Sequence, residues 1–267
     1  MGSSDHRRGG RRGALGARPV PPDRLLGDGK GGGAQGALLL VVGAVGGVGA
    51  STLAAALSAE LAADGSGVGL VDLDGLRGGI DVLLGVETEP GARWPELADV
   101  DGTVEATDLD GVLPTWRGVE VLSAGREAVS PRPEAVASVL GALLLRNAHL
   151  VVDLPAHGLG ALAGRGPVER PDRTVLLTTQ DVRGVVGGRA ATPLLPGGEV
   201  ELVVRSCRDP VVAADEVARL LGLPPALVLG SDRGIAGAVD RGLGPVPARG
   251  SRLGRTVRRL AARVSGG

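Results

Sequence analysis

The chain has no phenylalanine and no tyrosine, and its only aromatic residues are Trp94 and Trp116. Base-stacking platforms for single-stranded nucleic acid need several rings on one face, which argues against nucleic acid as a partner. Cys207 is the single cysteine, so an internal disulfide framework is excluded. No apolar run reaches the roughly 18 residues that a membrane span requires. Arg7-Arg8 and Arg11-Arg12 look like twin-arginine signals, but Pro19, Pro21 and Pro22 stand where the apolar stretch of such a signal belongs. The expectation from these absences is a cytoplasmic protein. Lysine is nearly missing as well: of 29 basic residues only Lys30 is one, leaving 28 arginines. A mechanism that needs a lysine inside the folded domain is in difficulty from the outset.

What is present is aliphatic. Hydrophobic residues make up 43% of the 267, and Val/Leu/Ala runs recur from Leu38 to Val264. Residues 1–35 stand apart. They are rich in Gly, Pro, Arg and Ser, and their seven positive charges (Arg7, Arg8, Arg11, Arg12, Arg18, Arg24, Lys30) face Asp5, Asp23 and Asp28. Such a segment buries too little surface to offset its ordering entropy, so the expectation is a disordered arm, either a solvated tail or a tether for anionic surfaces. Residues 36–267 read as one folded domain.

Within that domain, short apolar runs alternate with helical patterns. The runs are Ala37–Val42, Val68–Asp72, Val119–Ser123, Leu150–Asp153, Thr174–Thr178, Val200–Val204 and Ala226–Gly230. Most are continuous Val/Leu rather than alternating, as strands buried on both faces read. Between them, Ser51–Ala63, Pro133–Arg146, Val211–Leu221 and Ile235–Arg241 carry helical patterns. This predicts an α/β domain, a mostly parallel sheet with helices on both faces. Glu87 to Trp116, with Pro90, Pro95 and Pro114, reads as a surface excursion that its two tryptophans pin to the core.

The first strand runs straight into G-A-V-G-G-V-G-A-S-T, Gly43 to Thr52, and then into an Ala/Leu-rich helix. Strand, glycine loop and helix form a phosphate cradle, because glycines let backbone N–H groups turn inward and the helix N-terminus favours an anion. A standard Walker A pattern would have Gly at Ala44 and Lys at Ala50, and both are absent, while Gly49 and Ser51 stay in register. The missing lysine is the group that reaches the β- and γ-phosphates. A Rossmann-type dinucleotide site is the rival reading, with Gly47-x-Gly49-x-x-Thr52 one step from its fingerprint and Asp72 at ribose-binding distance in sequence. Its third glycine is missing, and the loop is long for the tight Rossmann turn.

Three carboxylates stand at ends of predicted strands: Asp72 and Asp74 after the second, Asp153 at the end of Leu150–Asp153. Ligands of parallel sheets bind at the carboxyl ends of strands, so all three should point toward the glycine loop. One would hold magnesium and one would orient an attacking water.

The set G-G-V-G-A-S-T, then V-D-L-D-G-L-R-G-G-I-D-V-L-L-G, then V-V-D-L-P resembles the MinD/ParA family of deviant-Walker P-loop ATPases. Further segments carry the likeness across residues 37–264: Arg93–Gly102, Gly118–Arg126 and Asp232–Gly242. The family loop reads K-G-G-V-G-K-[ST]-T, so its two lysines fall on Val45 and Ala50. Their loss is similar to the CpaE/TadZ pilus-assembly branch, and most of all to actinobacterial CpaE-like septum site-determining proteins encoded near a secretion-type ATPase. The resemblance implies a nucleotide loop of Gly46, Gly47, Gly49, Ala50, Ser51 and Thr52, with magnesium at Ser51, Asp72 and Asp153. Asp72 and Asp74 fall on the switch-region acids, Asp74 carrying any catalysis, and Asp153 falls on the Walker B acid. Arg205 stands where the family has an Asn at the adenine, and Gly230 where it has Pro. The implied function is a positioning and assembly factor with weakened binding of ATP and magnesium and weak or no hydrolysis. Implied partners are a second copy and a secretion- or pilus-type ATPase or division proteins, with weak contact at the inner face of the membrane. The alternative is an active ATPase cycling between monomer and dimer at the membrane.

Other residues carry less. His149 and His157 share no helical face and read as loop histidines rather than a metal pair. Cys207 beside Arg205 and Arg208 reads as a small half-buried residue. Leu253, Val257, Leu260, Ala261 and Val264 fall on one helical face with arginines mostly opposite, which suits either a membrane-gripping tail or, preferably, a last helix packed on the sheet.

Overall fold

The computed structural model describes residues 36–74, 78–127, 129–162 and 166–265. The predicted arm therefore lies outside the described residues.

Eight strands among them form one sheet: β1 (Ala37–Gly43), β2 (Val68–Asp72), β3 (Thr115–Trp116), β4 (Val119–Leu122), β5 (His149–Pro155), β6 (Arg173–Thr179), β7 (Glu199–Arg205) and β8 (Leu227–Leu229). Their order is β3-β4-β2-β5-β1-β6-β7-β8, and every pairing is parallel except β3 with β4. The seven predicted runs are the seven parallel strands. The short β3 was not expected; Arg117 and Gly118, both at positive φ, turn the chain back on itself as a two-residue hairpin.

Helices among the described residues are α1 (Ala50–Leu61), α2 (Ile80–Leu84), α3 (Trp94–Leu97), α4 (Pro133–Arg146), α5 (Leu159–Leu162), α6 (Val182–Ala191), α7 (Ala214–Leu221), α8 (Arg233–Val239) and α9 (Arg252–Ser265). Side chains alternate across a strand, and β1 shows the consequence. Leu38, Leu40 and Val42 join a core with α4, α7 and Trp94, while Leu39 and Val41 join a second core with α1, α2 and α9. Continuous aliphatic runs are what a sheet covered on both faces demands.

Three expectations need correction. Trp94 and Trp116 pin Glu87 to Trp116 to the core as expected, but the segment is more than a surface excursion, because Leu97, Leu109 and Leu113 are buried in the core as well. In a domain without Phe or Tyr, this segment supplies the bulky side chains that close the sheet edge. The helix predicted from Val211 starts at Ala214, since Ala213 is still extended at φ −67° and ψ 151° and the N–H groups of Val211 and Val212 before it are tied to the Gln180 carbonyl. The helix predicted over Ile235–Arg241 runs from Arg233 to Val239, its start set by the Asp232 side chain accepting from Gly234 N–H at 2.9 Å.

Helix α9 settles its two readings. Leu253, Val257, Leu260 and Ala261 are buried against α1 and β8, and the Thr256 hydroxyl donates to the Val228 carbonyl at 2.9 Å. The apolar face belongs to the core. No helix among the described residues is long and apolar enough to cross a membrane.

Candidate functional site

The carboxyl ends of the central strands converge on one cavity of about 650 Å³, lined by residues 43–52, by Asp72, Asp74 and Asp153, and by Ile80 and His157 among others. Every residue proposed from sequence as nucleotide-binding, magnesium-binding or catalytic borders it: Gly46, Gly47, Gly49, Ala50, Ser51, Thr52, Asp72, Asp74 and Asp153.

The loop between β1 and α1 is held at both ends. Ala44 N–H donates to the Leu177 carbonyl of β6 at 2.9 Å, and Val48 is buried beneath the loop. Gly49 precedes α1 at φ 100°, a conformation that side-chain-bearing residues rarely adopt, and its carbonyl accepts the Leu53 N–H. No side chain caps this helix, so the N–H groups of its first turn face the cavity end of the loop without a capping side chain. Together with the helix dipole, they form an anion-binding concavity. Helix α6 leans on the loop so closely that a Cβ on Gly187 would lie 2.4 Å from the Ala44 carbonyl oxygen.

The acids owe their positions to strand register. Asp72 on β2 is the direct partner of Asp153 on β5, and Asp153 is the partner of Val41 on β1. Leu70, Val151 and Leu39, two residues earlier on each strand, all pack in the α1 core. By the two-residue period of a strand, Asp72 and Asp153 therefore project to the same face, beside the start of α1.

Asp72 has a further part. Its carboxylate accepts from Asp74 N–H at 2.9 Å, from Ile80 N–H at 2.8 Å and from Ala124 N–H at 3.5 Å. Burial nevertheless dominates those three bonds and pushes its pKa up to about 6. Next to it lies a second polar cluster that the sequence reading missed. Arg93 Nε pairs with Asp81 Oδ2 at 3.0 Å, and the Ser123 hydroxyl donates to Asp81 Oδ1 at 2.9 Å. Asp81 ends no strand, and the signal that could have found it is its place in the same I-D-V-L-L segment that follows Asp72 and Asp74.

Arg205, at the end of β7, does not simply stand over a base pocket. Its guanidinium donates to the Val48 carbonyl at 3.0 Å and, at the limit of hydrogen-bond distance, to the Gly47 carbonyl at 3.5 Å. Gly230 ends the neighbouring strand region and packs on Arg252, where a Cβ would approach the Arg252 side chain to 2.5 Å. His149 and His157 lie at and beyond opposite ends of β5, and only His157 reaches the cavity. Cys207 is half-buried. Among the described residues no cluster of three or more His, Cys, Asp or Glu forms a metal cage. A cation here would rest on Ser51, acids at the strand ends and the phosphates themselves, as magnesium sites commonly do.

Strand order excludes the Rossmann alternative. A Rossmann sheet sets its second strand beside the first, whereas here β5 lies between β1 and β2 and brings Asp153 next to the loop. The fold is an α/β architecture of the kind found in ParA and MinD P-loop ATPases. The chain belongs to the family of two uncharacterized Mycobacterium tuberculosis proteins, MT3760 (strain CDC 1551) and Rv3660c (strain H37Rv). It is 35% identical to each over 242 residues, covering 83% of this chain and 67% of the relative. No protein-family model matches the chain.

Among solved structures, a ParA family ATPase from Chlorobium tepidum superposes with a TM-score of 0.70 at 18% identity, over 85% of this chain and 98% of the other. The MinC:MinD cell division complex of Aquifex aeolicus gives 0.69 at 17% identity, over 86% and 96%. The septum site-determining protein MinD of Pyrococcus horikoshii, complexed with Mg-ADP, gives 0.63 at 20% identity, over 85% and 95%. At such identities the shared property is the fold.

Proposed function

We propose that this chain is a positioning and assembly factor of the CpaE/TadZ kind, serving septum-site determination or a pilus or secretion machine. Its nucleotide site holds ATP and magnesium weakly and hydrolyses ATP slowly or not at all. One observation carries the reading: the loop keeps the backbone geometry of a phosphate cradle, while Ala50 and Val45 occupy the positions of the two lysines. Without those cations, the charge developing on a transferred phosphoryl group loses its main side-chain stabilisation. The N–H groups of the loop remain and are sufficient for binding an anion.

Within this reading Gly46, Gly47, Gly49, Ala50, Ser51 and Thr52 hold phosphate. Ser51, Asp72 and Asp153 serve magnesium, and Asp74 serves whatever hydrolysis survives. The likeness to MinD bound to MinC and to MinD bound to Mg-ADP supports a second copy, division-type partners and a nucleotide as working ligands. The protein works in the cytoplasm and touches the inner membrane face weakly, through the charge of residues 1–35.

Steady-state phosphate release by the purified protein with magnesium and ATP tests the proposal. Release near the blank, with measurable binding of ATP in equilibrium dialysis, is expected. Robust turnover abolished by Asp74→Ala would replace this reading with that of a cycling ATPase.

A further inference from the structure

The loop lacks its lysines, but it does not lack a cation. Arg205 reaches it from β7, 157 residues away in sequence, with one guanidinium nitrogen 3.0 Å from the Val48 carbonyl oxygen. The same nitrogen lies 3.5 Å from where a Cβ on Gly49 would stand, directly before the first turn of α1. Arg205 is partly buried, and among the described residues no carboxylate forms an ion pair with it. The nearby Asp181 is occupied in capping α6, accepting from Gly184 N–H at 2.7 Å and from the Thr179 hydroxyl at 3.1 Å. Among the described residues the Arg205 guanidinium bonds only to carbonyls, which leave it its positive charge, and that charge stands at the loop; the Asp181 carboxylate lines the same recess without pairing with it.

We infer that Arg205 is a positioning residue that replaces the missing loop lysine: it latches the loop through its carbonyls and supplies the positive charge that holds a polyphosphate there. This deepens the proposed function and rests on the nucleotide reading of the cavity. The two halves of the role follow from the same contacts. Donation to Gly47 and Val48 carbonyls orients those peptides so that the N–H groups on the far side of the loop face the cavity. The charge then acts through space on the bound anion without the direct contact that a lysine at position 50 would make. Such an arrangement favours binding over hydrolysis, because a charge fixed behind the loop stays put as the γ-phosphoryl group leaves. Both carbonyls are met by one guanidinium nitrogen, so a lysine long enough to reach the loop could keep part of the latch.

The test measures binding of pyrophosphate, ADP and ATP to the full chain by isothermal titration calorimetry, for wild type, Arg205→Gln, Arg205→Lys, and Arg205→Gln combined with Ala50→Lys. Thermal melting checks that each variant is folded. The inference expects Arg205→Gln to weaken ATP by about tenfold or more. The loss should be smaller for ADP than for ATP, Arg205→Lys should retain part of the affinity, and the added Ala50→Lys should restore binding. A merely structural role would not grade with ligand charge, nor be rescued by a cation on the opposite side of the loop. Wild-type binding that Arg205→Gln leaves unchanged, or that Ala50→Lys fails to restore, overturns the inference and leaves the nucleotide reading standing. Absence of binding of all three anions by wild type overturns both.

Discussion

The indole N–H of Trp94 donates to the backbone carbonyl of Asp72 at 2.7 Å, at the point where β2 ends and the acidic segment begins. Trp94 is only 1% exposed, so neither partner has water as an alternative. A segment that looks irregular in sequence thereby fixes the backbone of a residue whose side chain borders the cavity at the glycine loop. Trp94→Phe keeps most of the packing but orphans the carbonyl. It should cost about 1–3 kcal/mol in urea unfolding, beyond what a distant tryptophan such as Trp116 loses on the same exchange per area buried. An unchanged unfolding midpoint would show that the bond is dispensable.

Asp72 links stability to pH. Its carboxyl is pushed up to about 6 in the folded protein from an ordinary value of 3.8, with burial as the leading cause. Between those values the native state binds more protons than the unfolded one, so this group's contribution to stability falls as pH rises from about 4 to about 6 and is constant above. The drop amounts to about 3 kcal/mol. Asp72→Asn cannot ionise and should lack it. Urea unfolding of both proteins at pH 4, 5, 6 and 7 reads the difference, and parallel profiles would refute the assignment.

The pair of Arg93 and Asp81 is nearly dry, with side chains 11% and 5% exposed. Removing one partner strands the other charge. Arg93→Met should therefore destabilise by about 3–5 kcal/mol, and Asp81→Asn with Arg93→Met by less than the two single costs added together. A double-mutant cycle on chemical unfolding gives the coupling, and additive costs would mean that the two side chains do not act as a pair.

Helix α9 is structural. Leu260 is fully buried, so Leu260→Ala should lose about 2–5 kcal/mol, and truncation after Arg252 should unfold the domain. The proposed attraction to anionic vesicles is then expected to rest on the charge of residues 1–35. It should collapse at high salt, where screening shortens to a few ångströms, and should vanish on removing those residues. Salt-resistant vesicle binding by a folded protein without residues 1–35 would assign the membrane contact to another surface.

Local periodicity by itself determined much here. Runs such as Leu38–Val42 and Leu150–Val152 are aliphatic at every position, as strands covered on both faces read, and all seven were legible. The glycine loop and the acids at strand ends were equally local, because turn chemistry and the end of an apolar run are written in neighbouring residues. Helix α6 was not legible: three glycines in V-R-G-V-V-G-G-R-A-A oppose helix formation, and it is packing that holds the helix, with Gly187 giving the close approach to Ala44. Strand order was not legible either, yet it is the insertion of β5 between β1 and β2 that sets Asp153 beside Asp72. Likewise nothing near Arg205 in sequence points to Val48, and nothing near Trp94 points to Asp72. Those contacts exist because a folded sheet brings distant strand ends to one edge, where burial leaves a polar group no partner except the one the tertiary structure supplies.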